Sequence, residues 1–298
     1  MVNISMIIPV FNASDYLPIL FRCLEQCNLT IDDEVILIDN GSTDDSKNIC
    51  KEYIQKSSIN FRYFYFDDVA SSYAARNFGV KQSVNDILVF TDSDCIPQKN
   101  WIDEIKNNIS DNIVLGGKVQ INIEDDKNIW EIYDFLAHLD SEKNIKNKCI
   151  ATANMAVTKK DFYIVGWFSE RFSGADYEWS KRASKKGLFV KYLEQAIVLH
   201  PSRKSFGIIL NKERRISYGK GQEWKKKNKK LFFLIILYLL KILKLDTNFR
   251  YTKSLITRKI KIRDILIFNI KFIQIRVNHL LFVNYGFHGV DVRTLKIK

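Results

Sequence analysis

The chain has 298 residues, 46% of them hydrophobic and 27% charged, with a formal net charge of +12. This composition excludes a disordered chain and leaves room for one large domain or two ordinary ones, each with a buried core. The charge is uneven: residues 1–200 carry 22 Lys or Arg against 29 Asp or Glu, a net of −7, whereas residues 201–298 carry 24 against 5, a net of +19. Two regions with different partners follow, the second suited to nucleic acid, anionic lipid or a phosphorylated substrate. Cys23, Cys27, Cys50, Cys95 and Cys149 show no C-x-x-C spacing and the N-terminus carries no secretion signal, so free thiols in a reducing cytoplasm are expected.

Residues 5–10 (S-M-I-I-P-V) form a continuous apolar run that suits a buried strand, stopped by the loop Phe11-Asn12-Ala13-Ser14. Leu17, Leu20, Leu24 and Cys27 then recur at helical spacing, with Ser14 or Asp15 placed to cap. Residues 34–39 (E-V-I-L-I-D) read as a second buried strand ending in an acid, and N-G-S-T-D-D-S leads into a helix over about 46–55. A third strand follows at 60–66, a helix at 71–84 and a fourth strand at 87–91, which runs into Asp92 and Asp94. Alternate residues of an extended chain face the same way, so these two carboxylates can share a cleft. Anions that close repel, and a divalent cation is the usual compensation, although a D-x-D also caps ordinary loops. The spacing predicts further a helix over 101–109, a strand over 114–123 and an amphipathic piece around Trp130, Tyr133, Phe135 and Leu136. Strands alternating with helices predict an α/β fold with a mainly parallel sheet covered on both faces, its ligands beyond the carboxyl ends of the strands.

The segments I-I-P-V-F-N, V-I-L-I-D-N-G-S-T-D-D-S, A-A-R-N-F-G and V-F-T-D-S-D, in that order, resemble the family 2 glycosyltransferases with the GT-A fold, over about residues 4–205. The resemblance implies a GT-A catalytic domain at 1–205, with a nucleotide-binding half at 1–110 and an acceptor half at 111–205. A basic, apolar helical region at 206–298 lies outside it. It implies an inverting transferase that uses a nucleotide-diphospho-sugar, with a leaning to UDP, and a divalent Mn²⁺ or Mg²⁺. Pro9, Phe11, Asn12, Asp39, Asn40, Ser42, Arg76, Asn77, Asp92 and Ser93 would surround the nucleotide-sugar, and Asp94 with His200 would hold the metal. Asp176, in F-S-G-A-D-Y-E-W, matches the catalytic base, and Asn154, Gly174, Glu178 and Trp179 fall on the acceptor side. Two positions depart from the pattern: Asn40 stands where a second acid is common, and Ser71-Ser72 where Gly and Lys are common.

Residues 202–221, with Arg203, Lys204, Arg214 and Arg215, read either as a flexible cationic lid over the diphosphate or as a solvated basic linker. K-K-K-N-K-K precedes L-F-F-L-I-I-L-Y-L-L, whose ten residues span about 15 Å as a helix, half of a bilayer core. Extension to Leu245 brings in Lys241 and Lys244, and from 254 to 283 apolar residues interleave with cations. The pattern suits a peripheral helix on an anionic membrane surface, or helices packed on the catalytic domain. The expected partners are a nucleotide-sugar donor, a glycan or lipid-linked acceptor and the inner face of the cell membrane, with no nucleic acid. A nucleotidyltransferase would need a Gly-rich basic loop after the first strand, which P-V-F-N-A-S lacks. A dehalogenase-like phosphatase would carry its D-x-D after the first strand, and a nucleic-acid-binding protein would draw only on residues 201–298, where long aliphatic runs fit poorly.

Overall fold

The computed structural model describes residues 2–138, 140–243, 245–291 and 295, and for 241–248 the secondary structure alone. The chain divides into two compact units: Met1–Ile121, Leu139–Glu170 and Ala175–Pro201 form the first, and Asn122–His138, Arg171–Gly174 and Ser202–Lys298 the second. The boundary expected at residue 205 therefore falls at Pro201, and two earlier segments join the second unit.

The elements begin β1 (Ile4–Val10), α1 (Leu17–Gln26), β2 (Glu34–Asp39), α2 (Ser46–Lys56), β3 (Asn60–Tyr65), α3 (Ser72–Gln82), β4 (Ile87–Thr91) and β5 (Ile96–Pro97). They continue α4 (Trp101–Asn108), β6 (Ile113–Asn122), α5 (Ile129–Ala137), α6 (Ser141–Lys146), β7 (Asn154–Thr158), α7 (Lys159–Val165), α8 (Ala175–Lys185) and β8 (Phe189–Pro201). One eight-stranded sheet has the order β3-β2-β1-β4-β7-β6-β8-β5. The parallel arrangement expected from the sequence holds for β3-β2-β1-β4, while β7 runs back against β4 and β6 against β7, so the sheet is mixed. Every residue of β1, β2 and β4 is buried, as their unbroken apolar runs require, because helices cover both faces. Period-two alternation then sorts them: Met6, Ile8 and Val35 pack with α1 and Trp101 on one face, and Ile7, Ile36 and Phe90 pack with α3, Phe162 and Trp179 on the other.

The amino ends of these strands carry acids that are already satisfied. Asp33 accepts from the Ile4 amide at 2.9 Å and pairs with Lys106 at 2.6 Å; Glu34 accepts from Ser5 at 2.5 Å and pairs with Arg62 at 2.6 Å. Gly79, at the end of A-A-R-N-F-G, seats α3 on the sheet: a Cβ there would lie 2.6 Å from Ile7 and 2.8 Å from Ile38. That close approach fixes where Arg76, one turn earlier, stands.

The second unit is helical, with α5 joined by α9 (Phe206–Lys226), α10 (Leu231–Leu243), α11 (Leu245–Thr257) and α12 (Ile262–His288). Ile132, Tyr133, Ile209, Leu255, Phe268, Phe272 and Ile275 make its core. Neither a flexible lid nor a solvated linker occupies 206–221, which lie within the single 21-residue helix α9, capped by the Ser205 hydroxyl. The cations read as lid residues have fixed partners: Arg203 bonds Asp134 at 3.0 Å, Lys204 pairs with Glu124 at 2.6 Å, and Arg214 donates to Asn278 at 2.8 Å. Asp134 is fully buried and also meets Lys212 at 3.3 Å and His138 at 2.7 Å; Glu213 meets His138 at 3.0 Å, His279 at 2.9 Å and Tyr133 at 2.9 Å. This buried ion network ties α5, α9 and α12 together, and burial beside Arg203 brings Lys212 down to about 7. Among the described residues α12 alone is long and apolar enough to cross a membrane, by length and composition. Lys241 and Lys244 lie outside the described side chains.

Candidate active site

Because β1, β2 and β4 are parallel and paired in register, with Val10 opposite Asp39 and Ile7 opposite Phe90, their carboxyl ends deliver three loops to one edge. The first two loops are stitched together. Asn12 takes a left-handed conformation (φ 47°) and its Oδ1 accepts the Thr43 amide at 2.8 Å, while its own amide donates to Ser42 Oγ at 3.0 Å. Asp39, fully buried, accepts the Ser42 amide and the Tyr63 hydroxyl, each at 2.8 Å. Asn40 donates to the carbonyls of Phe66 and Val69, at 2.8 and 2.9 Å. An acid at position 40 would set a carboxylate against two carbonyls with no proton between them, which accounts for the amide. Pro9 is buried within β1, and Phe11 stands 43% exposed beyond it.

The third loop carries the D-x-D. The Cys95 amide donates to the Asp92 carbonyl at 3.1 Å, which closes a tight turn around Ser93 and directs Asp92 and Asp94 outward, each with its side chain about one-third exposed. Asp92 is ion-paired with Arg76, a side chain only 4% exposed. Among the described residues the buried Nε of Arg76 has no partner, so the guanidinium has a donor still to satisfy. Asp94 Oδ2 faces His200 Nε2 at 3.5 Å. His200 Nδ1 lies 2.8 Å from the Pro201 carbonyl, which only accepts, so Nδ1 carries a proton. In the neutral ring the Nε2 lone pair then points at a carboxylate: two acceptors face each other and call for a cation between them. These residues fit a divalent metal. Ligand atoms of Asp92, Asp94 and Cys95 also lie within 4.8 Å of one another. Burial, then Asp94 and Asp92, push the Cys95 thiol well above its ordinary value. The sequence reading passed over Cys95, although it adjoins Asp94.

Asp176 lies in the first turn of α8. Its Oδ1 accepts the Tyr73 hydroxyl at 3.0 Å and the Tyr177 amide at 2.9 Å; among the described residues its Oδ2 accepts only the Thr152 amide, at 3.2 Å. Burial raises its carboxyl above the usual range, against the opposing pull of the Tyr177 amide, Arg76, Tyr73 and the Thr152 amide. The Arg76 guanidinium sits 5.5 Å from the Tyr73 ring centroid. A continuous chain therefore runs Asp92, Arg76, Tyr73, Asp176.

Four residues expected at the site have partners within the fold. Asn77 is buried and makes a reciprocal pair with the Phe168 backbone, at 2.9 and 3.0 Å. Asn154 accepts from Trp101 at 2.9 Å and donates to the carbonyls of Lys118 and Ala196, so it joins strands rather than lining an acceptor groove. Glu178 pairs with Arg182, which in turn holds the Val165 and Trp167 carbonyls. Trp179 is fully buried, stacked on Phe162 at 5.3 Å and bonded to the Gly166 carbonyl at 2.6 Å. Position 178 is about 200° around the helix from Asp176 and faces away from it, whereas Trp179, about 60° away, is enclosed in the core. Trp179→Ala is accordingly expected to lower stability by about 3–5 kcal/mol in denaturant unfolding, the cost of a large cavity in the core. Gly174 (φ 74°) belongs to the second unit, where its carbonyl accepts from Arg171.

Residues 5–166 match the model of Glycosyl transferase family 2. Glycosyltransferase AglE of Haloferax volcanii is 32% identical over 229 residues, 74% of each chain. Among solved structures, the mannosyltransferase PcManGT of Pyrobaculum calidifontis, in complex with GDP-Man and Mn²⁺, superposes with a TM-score of 0.62 at 11% identity, over 97% of this chain and 88% of its own. S. aureus TarS 1–349 in complex with UDP-GlcNAc gives 0.54 at 14% identity, over 98% and 92%. The last two share the fold.

Proposed function

The chain belongs to glycosyltransferase family 2, and from that premise we propose that it moves a sugar from a nucleotide-diphospho-sugar to a hydroxyl of a glycan or lipid-linked glycan, with inversion, in cell-surface polysaccharide synthesis. The observation that carries this reading is the chain Asp92–Arg76–Tyr73–Asp176, which links the metal-side acids to a buried carboxylate of raised pKa. Phe11, Asn12, Asp39 and Ser42 would shape the nucleoside pocket, and Arg76 would face the diphosphate beside Asp92. Asp94 and His200 would hold Mn²⁺ or Mg²⁺, with Asp92 beside them. When bound, that ion offsets the charge that develops on the departing diphosphate.

Asp176 supplies the base. The acceptor oxygen attacks the anomeric carbon and its proton passes to Oδ2 of Asp176, the carboxylate oxygen with a single protein donor. The new bond forms as the bond to the diphosphate oxygen breaks on the opposite face, so the centre inverts and the nucleoside diphosphate leaves with the electron pair. The fold accepts both GDP-Man and UDP-GlcNAc in its solved relatives, and UDP is our reading for this chain. The exposed apolar residues of α10 and α12, among them Phe232, Phe233, Leu266 and Ile270, together with the net charge of +19 over 201–298, support peripheral contact with an anionic cytoplasmic membrane face.

A panel of nucleotide sugars assayed with Mn²⁺ for release of nucleoside diphosphate tests the reaction; no turnover with any donor would overturn it. The Tyr73 contact sets a second test. The base works ionised, so the rate falls as pH drops through the Asp176 pKa. The Tyr73 hydroxyl favours the ionised form, and its loss raises that pKa further. Tyr73→Phe is therefore expected to shift the acidic limb of the kcat profile to higher pH, and an unmoved limb would remove Tyr73 from the base's environment.

A further inference from the structure

We infer that the second unit carries a binding site for the phosphoryl head group of a membrane amphiphile, in a depression formed by α11 and the end of α5. The depression measures about 520 Å³ and is lined by Leu136, Arg250, Lys253, Ser254, Thr257 and Arg258. Three cations and two hydroxyls line it, with no carboxylate. Arg250, Lys253, Ser254 and Thr257 stand at i, i+3, i+4 and i+7, so one face of α11 presents them together. Lys127 adds a further cation at the rim, where its Nζ donates to the Arg258 carbonyl at 3.0 Å and so occupies a helix-end oxygen that would repel an anion.

Arg203, Lys204, Arg171 and Lys212 each have a carboxylate within 4.0 Å. Arg250, Lys253 and Arg258 form no ion pair among the described residues, as is also true of Lys225 and Lys261, and what sets these three apart is that they converge on the depression. A site with guanidinium forks, an ammonium and hydroxyl donors matches the several oxygens of a phosphate ester. The neighbouring stripe of α11 says what the ester is attached to. Phe249 and Ile256, seven residues apart on that stripe, are 69% and 61% exposed, and Ile262 at the start of α12 is 78% exposed. Hydrocarbon beside a cationic pocket is the complement of a phospholipid or polyprenyl phosphate, with the head in the pocket and the chain against the aromatic and aliphatic side chains. The occupant rests on the membrane contact proposed above; the site itself rests on the lining.

Flotation of the full chain with phosphatidylcholine vesicles containing phosphatidic acid tests the site, with vesicles of equal surface charge made with oleic acid as the phosphate-free comparison. Arg250→Gln/Lys253→Gln/Arg258→Gln is expected to lower partition into the phosphatidic acid vesicles on the order of 100-fold. The charge-matched control Lys225→Gln/Lys226→Gln/Lys229→Gln is expected to lower it less than one tenth as much. Thr257→Glu, at an exposed position, repeats the test with a single change. Equal losses in the two triple variants would leave membrane contact standing and overturn the site, as would equal binding to the two kinds of vesicle. Release by millimolar inorganic phosphate would make the ligand a free anion and overturn the lipid assignment. Failure of the unaltered protein to float with either vesicle would overturn both site and membrane contact, while transfer to a soluble acceptor, measured in parallel, reports separately on the reaction.

Discussion

Asp176→Asn is expected to lower turnover by about 10³-fold while the affinity for nucleoside diphosphate stays within about twofold. Asparagine keeps the shape of the side chain and one accepting oxygen but has no basic site at neutral pH. The loss therefore isolates proton acceptance from positioning. Alanine would be a poorer probe, because it leaves the Tyr73 hydroxyl and the amides of Thr152 and Tyr177 facing an empty space, each at about 1–3 kcal/mol. Burial has already moved the carboxyl toward the pH at which a base works best, at the expense of the folded state when that carboxyl is ionised. Calorimetry with UDP and GDP, beside steady-state rates with the donor selected from the panel, separates the two quantities. Turnover within tenfold of the unaltered protein would remove Asp176 as the base.

The parts of this site that were legible in the sequence are those where backbone pattern and chemistry coincide. The unbroken apolar runs of β1, β2 and β4 mark buried strands, and the acids that interrupt them abruptly, Asp39 and Asp92 with Asp94, stand beyond the sheet where ligands bind. Asn77, Asn154, Glu178 and Trp179 misled because the groups that recognise a sugar or a phosphate are the groups that satisfy buried carbonyls. Residue type names the bond a side chain can make; the partner depends on residues as distant as Phe168 or Ala196. The same holds for α9. Arg203 and Lys204, just before it, read as lid or linker residues because their counter-ions Asp134 and Glu124 lie about 70 to 80 residues earlier in the chain. β8 escaped for another reason: Lys191 and Glu194 interrupt its apolar pattern.

Asp94→Ala is expected to abolish the metal dependence of donor binding and to lower kcat/KM by about 10³-fold, the equivalent of several kcal/mol of charge stabilisation on the leaving group. The two acids of the D-x-D differ in what already meets their charge. Asp92 has the Arg76 guanidinium, whereas among the described residues Asp94 has only His200, whose Nδ1 proton is turned to the Pro201 carbonyl. A cation between Asp94 Oδ2 and His200 Nε2 removes the conflict of two facing acceptors, so removal of Asp94 removes the reason for the ion to bind. Thermal unfolding gives a readout that needs no donor. Mn²⁺ at 100 times its Kd would stabilise the unaltered protein by about 2.7 kcal/mol and leave Asp94→Ala unmoved. Without metal the variant is expected to melt no lower than the unaltered protein, because it loses one of two neighbouring anions and no ion pair with Lys or Arg. Asp92→Asn separates the roles further: it frees Arg76 and weakens nucleotide binding while part of the Mn²⁺-induced stabilisation remains. An Asp94→Ala protein that gains as much stability from Mn²⁺ as the unaltered one would place the ion elsewhere.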